Sequence, residues 1–514
     1  MNRLAVSSAA TLMAARAFAM GLGVVGIPIL LVNLGDKQFA AWAVLTGGSL
    51  VFYCLEMAMP TTLVRFLARS APPDGRDDAV HLHTNALAVV IGLYGVGLLG
   101  ALAFGAPVAN WLGLPATPLF SAARLIFMVC SATALTSFFK LGLSGLDARG
   151  RFHLVAALAA LQSGVANLAT WFVAIMWHRL DLVVLAYWGV QLIVVSVASL
   201  AIRRIAPWSI HARELRPSTM IALLRHGFFL QFTTLVYLAH FQLDRSFISA
   251  FSGLSEVARY EVGVRPAQAL RNLPGGAMRM FLPAVAQREL QNARDLYFRM
   301  TAATGYGVLV FLLVPLTIAQ FFLFAWAGEI GYHGRWVFLW IGFALCVDLM
   351  IAPVSSFIQA LGRTDLEASM VLRGLAVHLA LAAMLIGRFG KNGAAAACAL
   401  GMVFAHASYV RRFHLLMEWR LAETLKMLGR EFGPGMFVCA LGFAVAALVR
   451  PWVIVSRWYM AGATLVLYGS ALAALAVLYR ERLRVAVSEF VPRWRPESVA
   501  ACATAAITAT PPAQ

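Results

Sequence analysis

Apolar residues run through the chain in long blocks, each about as long as one membrane-spanning helix. A helix needs about 20 apolar residues to cross roughly 30 Å of hydrocarbon. The blocks are too long and too continuously apolar for the strands of a membrane barrel. Each block is therefore predicted to be an α-helix. Dividing the hydropathy at proline, glycine and charge clusters predicts about fourteen spans. These are residues 8–32, 38–59, 84–106, 119–141, 154–176, 181–202, 227–251, 256–283, 300–325, 335–360, 369–387, 392–410, 434–450 and 457–479.

A short repeat relates two groups of six spans. The segment GRFHLVA at 150–156 recurs as GRTDLEA at 362–368, each time in a short connection between two spans. This spacing predicts a parallel internal repeat, in which the first six helices and the second six have the same orientation.

The composition excludes several classes of protein. Apolar residues make up 61% of the 514 positions and charged residues 12%, against roughly 45–50% and 25% in soluble domains. Soluble enzymes, disordered chains and secreted disulfide scaffolds are therefore excluded. The six cysteines lie far apart and form no C-x-x-C pair, so no disulfide framework, zinc site or other cofactor is predicted.

The basic residues indicate membrane orientation rather than nucleic-acid binding. The formal net charge of +18 comes from 41 Lys and Arg against 23 Asp and Glu, but the cations are scattered over short loops. Because positive loops tend to stay in the cytoplasm, we expect both termini on the cytoplasmic side. Seven basic residues then fall on the opposite side: Lys37, Arg179, Arg335, Arg388, Lys391, Arg450 and Arg457.

The external connections are too short to fold into a domain. The longest, residues 107–118, has about a dozen residues. Membrane glycan polymerases and glycosyltransferases generally carry catalytic acids on a large external loop, so this alternative is disfavoured, and we expect the function to lie within the membrane.

Ordered motifs along the chain resemble those of a transporter superfamily. The stretches LGDKQFAAWAVL at 34–45 and EMAMPTTLVRFLA at 56–68 resemble the second helix of O-antigen and exopolysaccharide flippases. These flippases belong to the multidrug/oligosaccharidyl-lipid/polysaccharide exporter (MOP) superfamily. Three further stretches agree in order and spacing, and together the motifs cover roughly residues 10–410: Asp244–Ile248 with Tyr260 and Arg265, Phe281–Pro283, and Gln359–Thr364 with Arg388–Gly390.

The chain departs from the family pattern at three places. Glu56-Met57-Ala58 stands where an Asp-Leu-Gly is common, and Arg259 stands where an apolar residue is more common. The last two spans also exceed the twelve of the family's two-lobe core.

The resemblance implies a bacterial inner-membrane transporter that is not an enzyme. Two six-helix lobes, residues 1–205 and 206–415, would enclose a central cavity. Two extra helices at 416–480 and a cytoplasmic tail at 481–514, disordered at its end, would follow. The implied activity is translocation of undecaprenyl-pyrophosphate-linked oligosaccharide by alternating access, for O-antigen, capsule or exopolysaccharide synthesis. Its partners would be membrane lipids, a coupling proton or sodium ion and a polysaccharide polymerase, but no nucleic acid.

Arginines inside the spans indicate where an anionic substrate would bind. An arginine at a span centre costs about 2.5–3.5 kcal/mol in lipid, so it normally faces a cavity or a partner. Four lie in the eighth span, whose helix we expect to be sheltered, broken at Pro266 and at 274–276, and next to a wide cavity. Guanidinium groups bind pyrophosphate through paired hydrogen bonds. The candidate substrate-binding residues are therefore Arg16, Arg259, Arg265, Arg271 and Arg279.

A histidine and a carboxylate in the seventh span suggest ion coupling. His240 and Asp244 are one helical turn apart, and a histidine beside a carboxylate can titrate near neutral pH. Glu261 lies one turn before Arg265, the favourable order for an ion pair. The candidate ion-coupling residues are His240, Asp244 and Glu261.

Other interpretations of these charges stay open at this stage. Asp348 and Arg373 are candidates for a structural salt bridge, whereas Arg124, Lys140 and Glu56 lie near span ends and are expected to extend to the headgroups. A cation or drug exporter of the same superfamily would line its cavity with acids, but arginine outnumbers Asp and Glu in these spans. A membrane scaffold would have no reason to retain buried arginines.

Overall fold

The computed structural model describes a chain of helices and short turns. The described residues are 3–69, 76–148, 151–202, 211–278, 293–310, 316, 319–361, 363–453 and 456–490. Throughout these ranges the regular secondary structure is helical, as the hydropathy blocks predict.

The part of the chain described up to residue 202 contains six α-helices. They are α1 (Arg3–Tyr53), α2 (Met59–Arg69), α3 (Arg76–Trp111), α4 (Ala122–Ala148), α5 (Phe152–Trp177) and α6 (Leu180–Ala201). The backbone of α1 leaves the helical conformation at Gly35 (φ 72°, ψ 170°), so α1 contains the first predicted span and most of the second.

In the described residues of the second part, nine helices follow. They are α7 (Pro217–Ser252), α8 (Leu254–Met278), α9 (Ala293–Val308), α10 (Ala319–His333), α11 (Arg335–Met350), α12 (Ala352–Ala360), α13 (Thr364–Leu416), α14 (Leu421–Val453) and α15 (Arg457–Phe490). A second interruption lies at Gly390 (φ 52°, ψ −132°) inside α13, between the eleventh and twelfth predicted spans.

The length and composition of the described helices identify a multi-pass membrane protein. Eight helices are long and apolar enough to cross a membrane, or nine if a pair bent by 105° counts as one span. Two of the eight, Gly21–Val64 and Asp365–Leu416, contain the interruptions at Gly35 and Gly390 and, at 44 and 52 residues, are each long enough for two crossings. The full number of fourteen spans stays a prediction.

Most packing occurs within two groups of helices, α1–α6 and α7–α13. In the first group α5 packs on α1 and α6, and α4 packs on α3 and α6; in the second, α13 packs on α7 and α11, and α8 packs on α11. Between the groups, α1 contacts α7 and α8, whereas α2 and α3 contact α7. The last helices, α14 and α15, pack on α9 and α10. The contact between α1 and α8 therefore lies where the two groups meet.

The chain between α1 and α2 is a strained break. Met57 (φ 51°) and Ala58 (φ 49°) both adopt the left-handed conformation, which costs about 1–2 kcal/mol for a residue other than glycine. Ala58 is the position where the flippase motif that this sequence resembles commonly has glycine. Glu56 is buried, with 4% of its surface exposed, so the expectation that it extends to the headgroups is wrong. Glu56 is buried because α7 packs closely on this break. Gly227 of α7 lies so near Met57 that a Cβ atom added to it would be 2.2 Å from the Met57 carbonyl oxygen.

Candidate functional site

Helix α8 carries five charged residues in 25 positions and nevertheless lies in the protein interior. Tyr260, Glu261 and Ala267 are fully buried, because α8 packs on α11 and α1. The prediction that this helix is sheltered from lipid is confirmed. The predicted breaks at Pro266 and 274–276 are wrong, since α8 is continuous to Met278; its packing outweighs the roughly 3 kcal/mol penalty of an interior proline.

Glu261 is the centre of an ion-pair network within α7 and α8. One carboxylate oxygen accepts a hydrogen bond from Arg245 Nε, and the other accepts one from Arg265 Nε at 2.5 Å. The predicted pair of Glu261 and Arg265 is therefore present. Arg245 of α7 is the second partner, so two guanidinium groups share this buried carboxylate.

Arg265 also links the two helix groups. Its guanidinium carbon lies 4.9 Å from the ring centroid of Trp42, which belongs to α1. Trp42 is buried and makes an edge contact with Tyr187 of α6. A cation over an aromatic face contributes about 0.5–2 kcal/mol, so this contact stabilises the packing of α1 against α8.

Arg271 pairs with a carboxylate from a distant helix. Its Nε and Nη2 atoms lie 2.9 and 2.5 Å from the same oxygen of Asp348 in α11, and His406 Nε2 lies 3.3 Å from the other oxygen. The expected salt bridge between Asp348 and Arg373 is wrong, since Arg373 instead donates to Ser369 Oγ at 3.3 Å. Arg271 pairs with Asp348 because α8 and α11 are packed together.

Arg259 and Lys391 share a third carboxylate, near the start of α8. Arg259 Nη1 lies 2.5 Å and Lys391 Nζ 2.7 Å from different oxygens of Glu256. Lys391 follows Gly390, so the interruption in α13 brings its ammonium group to α8.

These pairs change the expected electrostatics of the site. Arg245, Arg259, Arg265 and Arg271 each have a carboxylate partner, because an uncompensated buried charge costs several kcal/mol. The described part of this region therefore has far less excess positive charge than the sequence count predicts.

A second buried polar cluster surrounds Asp244 in α7. Tyr260 donates its hydroxyl proton to one carboxylate oxygen at 2.5 Å, and His378 Nε2 lies 2.8 Å from the other. Cys398 completes a group in which the possible ligand atoms of Asp244, His378 and Cys398 all lie within 4.8 Å of one another. This cluster joins α7, α8 and both halves of α13.

Several predicted site residues fall outside the described side chains. Arg16 lies in α1 and His240 in α7, but nothing is described of either side chain, and Arg279 lies outside the described residues. Trp42, His378 and His406 were not predicted from the sequence as site residues. Both histidines lie inside predicted spans, and including histidine among the intramembrane ionisable residues would have found them.

Comparison with known proteins identifies the fold. No protein-family model matches the sequence, and no curated protein matches it. Among solved structures, the lipid II flippase MurJ in an inward closed conformation superposes with a TM-score of 0.71 at 10% identity, covering 92% of this chain and 99% of that one. An inward-facing multidrug resistance MATE transporter superposes with a TM-score of 0.62 at 13% identity, covering 80% and 98%.

A MOP superfamily transporter from Pyrococcus furiosus is also similar. Its TM-score is 0.56 at 13% identity, and the match covers 80% of this chain and 95% of that one. The chain therefore has the MOP fold, at sequence identities that establish the fold alone.

Proposed function

We propose that the chain is a flippase that moves undecaprenyl-pyrophosphate-linked oligosaccharide across the bacterial inner membrane for surface polysaccharide synthesis. Two six-helix lobes, residues 1–205 and 206–415, alternate between inward and outward access. The glycan and pyrophosphate pass between the lobes while the polyprenyl tail stays in lipid, which avoids transferring a charged, hydrated group through hydrocarbon.

The extent of the structural match supports a lipid flippase. MurJ matches 92% of the chain, whereas the MATE transporter matches 80%, a difference of roughly 60 residues. The two helices beyond the twelve-span core, α14 and α15, have 33 and 34 residues. Their combined length is similar to that difference in coverage.

Arg265 is the observation that carries the proposal. Among the described hydrogen bonds, that of Arg265 uses only Nε, so the two terminal nitrogens remain for two parallel bonds to a phosphate group. The side chain is 20% exposed and lies where α1 meets α8. A pyrophosphate that enters between the lobes therefore competes with Glu261 and Trp42 for this guanidinium group, which couples binding to separation of the lobes.

Transport in reconstituted vesicles with labelled lipid-linked oligosaccharide tests the proposal, together with complementation of a flippase-deficient strain. We expect Arg265→Ala and Arg271→Ala at matched expression to lose most transport, and Arg16→Ala to weaken it. Arg363→Ala is the matched control, because Arg363 is an exposed arginine that also pairs with an acid, Asp365. Full transport by all three variants would refute the role of the arginines. Rescue by Arg265→Lys would mean that charge suffices without bidentate recognition.

Asp244 is the proposed proton-coupling residue. It is fully buried between Tyr260 and His378, so adding or removing one proton changes the packing of α7 against α8 and α13. Nitrogen and sulfur donors from His378 and Cys398 suit sodium poorly, because hard cations prefer oxygen ligands. The donor set therefore favours a proton over a sodium ion.

Transport driven by an imposed pH gradient tests the coupling. We expect Asp244→Asn and His378→Ala to transport without responding to the gradient, and Asp365→Asn, an exposed acid, to behave as wild type. His240→Ala, measured beside His378→Ala, tests which of the two histidines takes part in the coupling. Normal pH coupling in both Asp244→Asn and His378→Ala would refute this assignment.

A cation exporter is the second candidate function. The four carboxylates at Asp244, Glu256, Glu261 and Asp348 nearly balance the arginines around them, and such acids suit cationic substrates. Efflux of a cationic dye that depends on Asp348, with no transport of lipid-linked oligosaccharide, would favour the exporter.

A further inference from the structure

A cavity of about 180 Å³ lies inside the α1–α6 group, separate from the arginine network of α8. Its polar lining comes from Tyr53, Lys140, Ser144, Asp147 and Gln162. Pro60 of α2 and leucine, valine and alanine side chains of α4, α5 and α6 form the remaining walls. Lys140, Ser144 and Asp147 follow one another along one face of α4. The cavity therefore extends over the last two turns of that helix.

Lys140 supplies a cation that faces the cavity. Its ammonium nitrogen lies 5.0 Å from the ring centroid of Tyr53, and no carboxylate oxygen of the described residues lies within ion-pair distance. Glu56 interacts with Lys140 only at longer range, through its charge. Lys140 therefore lines this cavity, and its extension to the headgroups stays a prediction.

Ser144 supplies an unused hydroxyl group at the same cavity. The residue is 2% exposed, and its Oγ atom has no hydrogen-bond partner among the described residues. An unsatisfied buried hydroxyl costs about 1–3 kcal/mol. A ligand with acceptor oxygens would pair with both Ser144 and Lys140.

The surroundings favour an anion with an apolar attachment. Asp147 is an acid on the lining, but the sequence that follows α4 and α6 is basic, with arginines at positions 149, 151, 203 and 204. Positive-inside orientation places this end of α4 at the cytoplasmic boundary, the depth of the lipid headgroups. The apolar walls suit a glycerol group and the beginning of its acyl chains better than a fully hydrated ion.

We propose that this cavity binds the phosphate group of a phospholipid from the cytoplasmic leaflet. The Lys140 ammonium pairs with a phosphate oxygen, and the Ser144 hydroxyl donates a hydrogen bond to another. Free phosphate shares this chemistry, so the experiment separates the two sources. The binding does not depend on the transported substrate.

Native mass spectrometry of the purified full-length protein titrated with phosphatidylglycerol tests the site. We expect Lys140→Gln and Ser144→Ala to weaken the tightest lipid binding about tenfold each, since one charge-assisted hydrogen bond contributes that much. Lys140→Arg should retain binding. Lys37→Gln, which removes an exposed lysine elsewhere, should leave it unchanged.

Thermal unfolding distinguishes the ligand from its alternatives. We expect phosphatidylglycerol to raise the melting temperature of the wild type but not of Lys140→Gln, and diacylglycerol and inorganic phosphate to have no such effect. Equal stabilisation by inorganic phosphate would overturn the lipid assignment. Wild-type lipid affinity in both Lys140→Gln and Ser144→Ala would overturn the site itself.

Discussion

Replacing Glu261 with glutamine tests whether the ion-pair network stabilises the fold. Glutamine keeps the size of the side chain and one acceptor oxygen but removes the negative charge that Arg245 and Arg265 share. Arg245 would then be a buried guanidinium group without its carboxylate. Arg265 would still have its contact with Trp42.

The expected loss follows from the burial of the three side chains. Glu261 is fully buried and the side chains of Arg245 and Arg265 are 6% and 20% exposed. Removing one partner of a buried ion pair typically costs about 3–5 kcal/mol. We assign most of this cost to Arg245, since solvent screens the more exposed Arg265. The free energy of unfolding should therefore fall by about 3–5 kcal/mol, which lowers the melting temperature by several degrees.

Thermal and denaturant unfolding in detergent measure this loss. Glu329→Gln is the matched control, because Glu329 has an 84% exposed side chain 3.9 Å from His333, and we expect a change below about 0.5 kcal/mol. Adding Arg245→Met to Glu261→Gln should recover at least about 1 kcal/mol, because it removes the uncompensated charge. A loss in Glu261→Gln no larger than in Glu329→Gln, with no recovery in the double variant, would refute the reasoning.

Three further predictions follow from close packing, aromatic contact and orientation. Gly227→Ala should destabilise the protein by about 1–3 kcal/mol in thermal unfolding, because its Cβ would meet the Met57 carbonyl. Gly189→Ala, with nothing within 4 Å of the new atom, should instead be neutral or slightly stabilising; equal effects would contradict the packing. Trp42→Leu should destabilise the protein by more than the roughly 0.5–2 kcal/mol of the cation–π contact, because Trp42 is buried and the smaller side chain also leaves a cavity. The effect should shrink when Arg265→Ala is also present; an unchanged effect would argue against the cation–π contact. Reporter fusions should be periplasmic after His178 and Gly253 and cytoplasmic after Pro73, Arg213 and Arg430. Reversal at two or more of these sites would refute the topology.

The sequence predicted the features that depend on local composition. Long apolar blocks become helices because lipid-exposed backbone must satisfy its own hydrogen bonds. The charge density of the eighth predicted span indicated the burial of α8, since four arginines in lipid would be too costly. The Glu261–Arg265 pair was predictable because residues four apart lie on the same face of a helix.

Local rules failed where neighbouring helices decide the outcome. The proline rule predicted a break at Pro266, but packing on α1 and α11 keeps α8 continuous. The position of Glu56 near a span end suggested exposure, yet the close approach of α7 buries it.

Only the tertiary structure decided which charges meet. Asp348 pairs with Arg271 across 77 residues and His378 contacts Asp244 across 134, whereas periodicity relates only residues one or two turns apart. The sequence shows that a buried arginine needs a partner, because an isolated charge in the interior is costly. The sequence contains several acids that could each be that partner. Helix packing selects among them, since it alone brings side chains from different helices within hydrogen-bond distance.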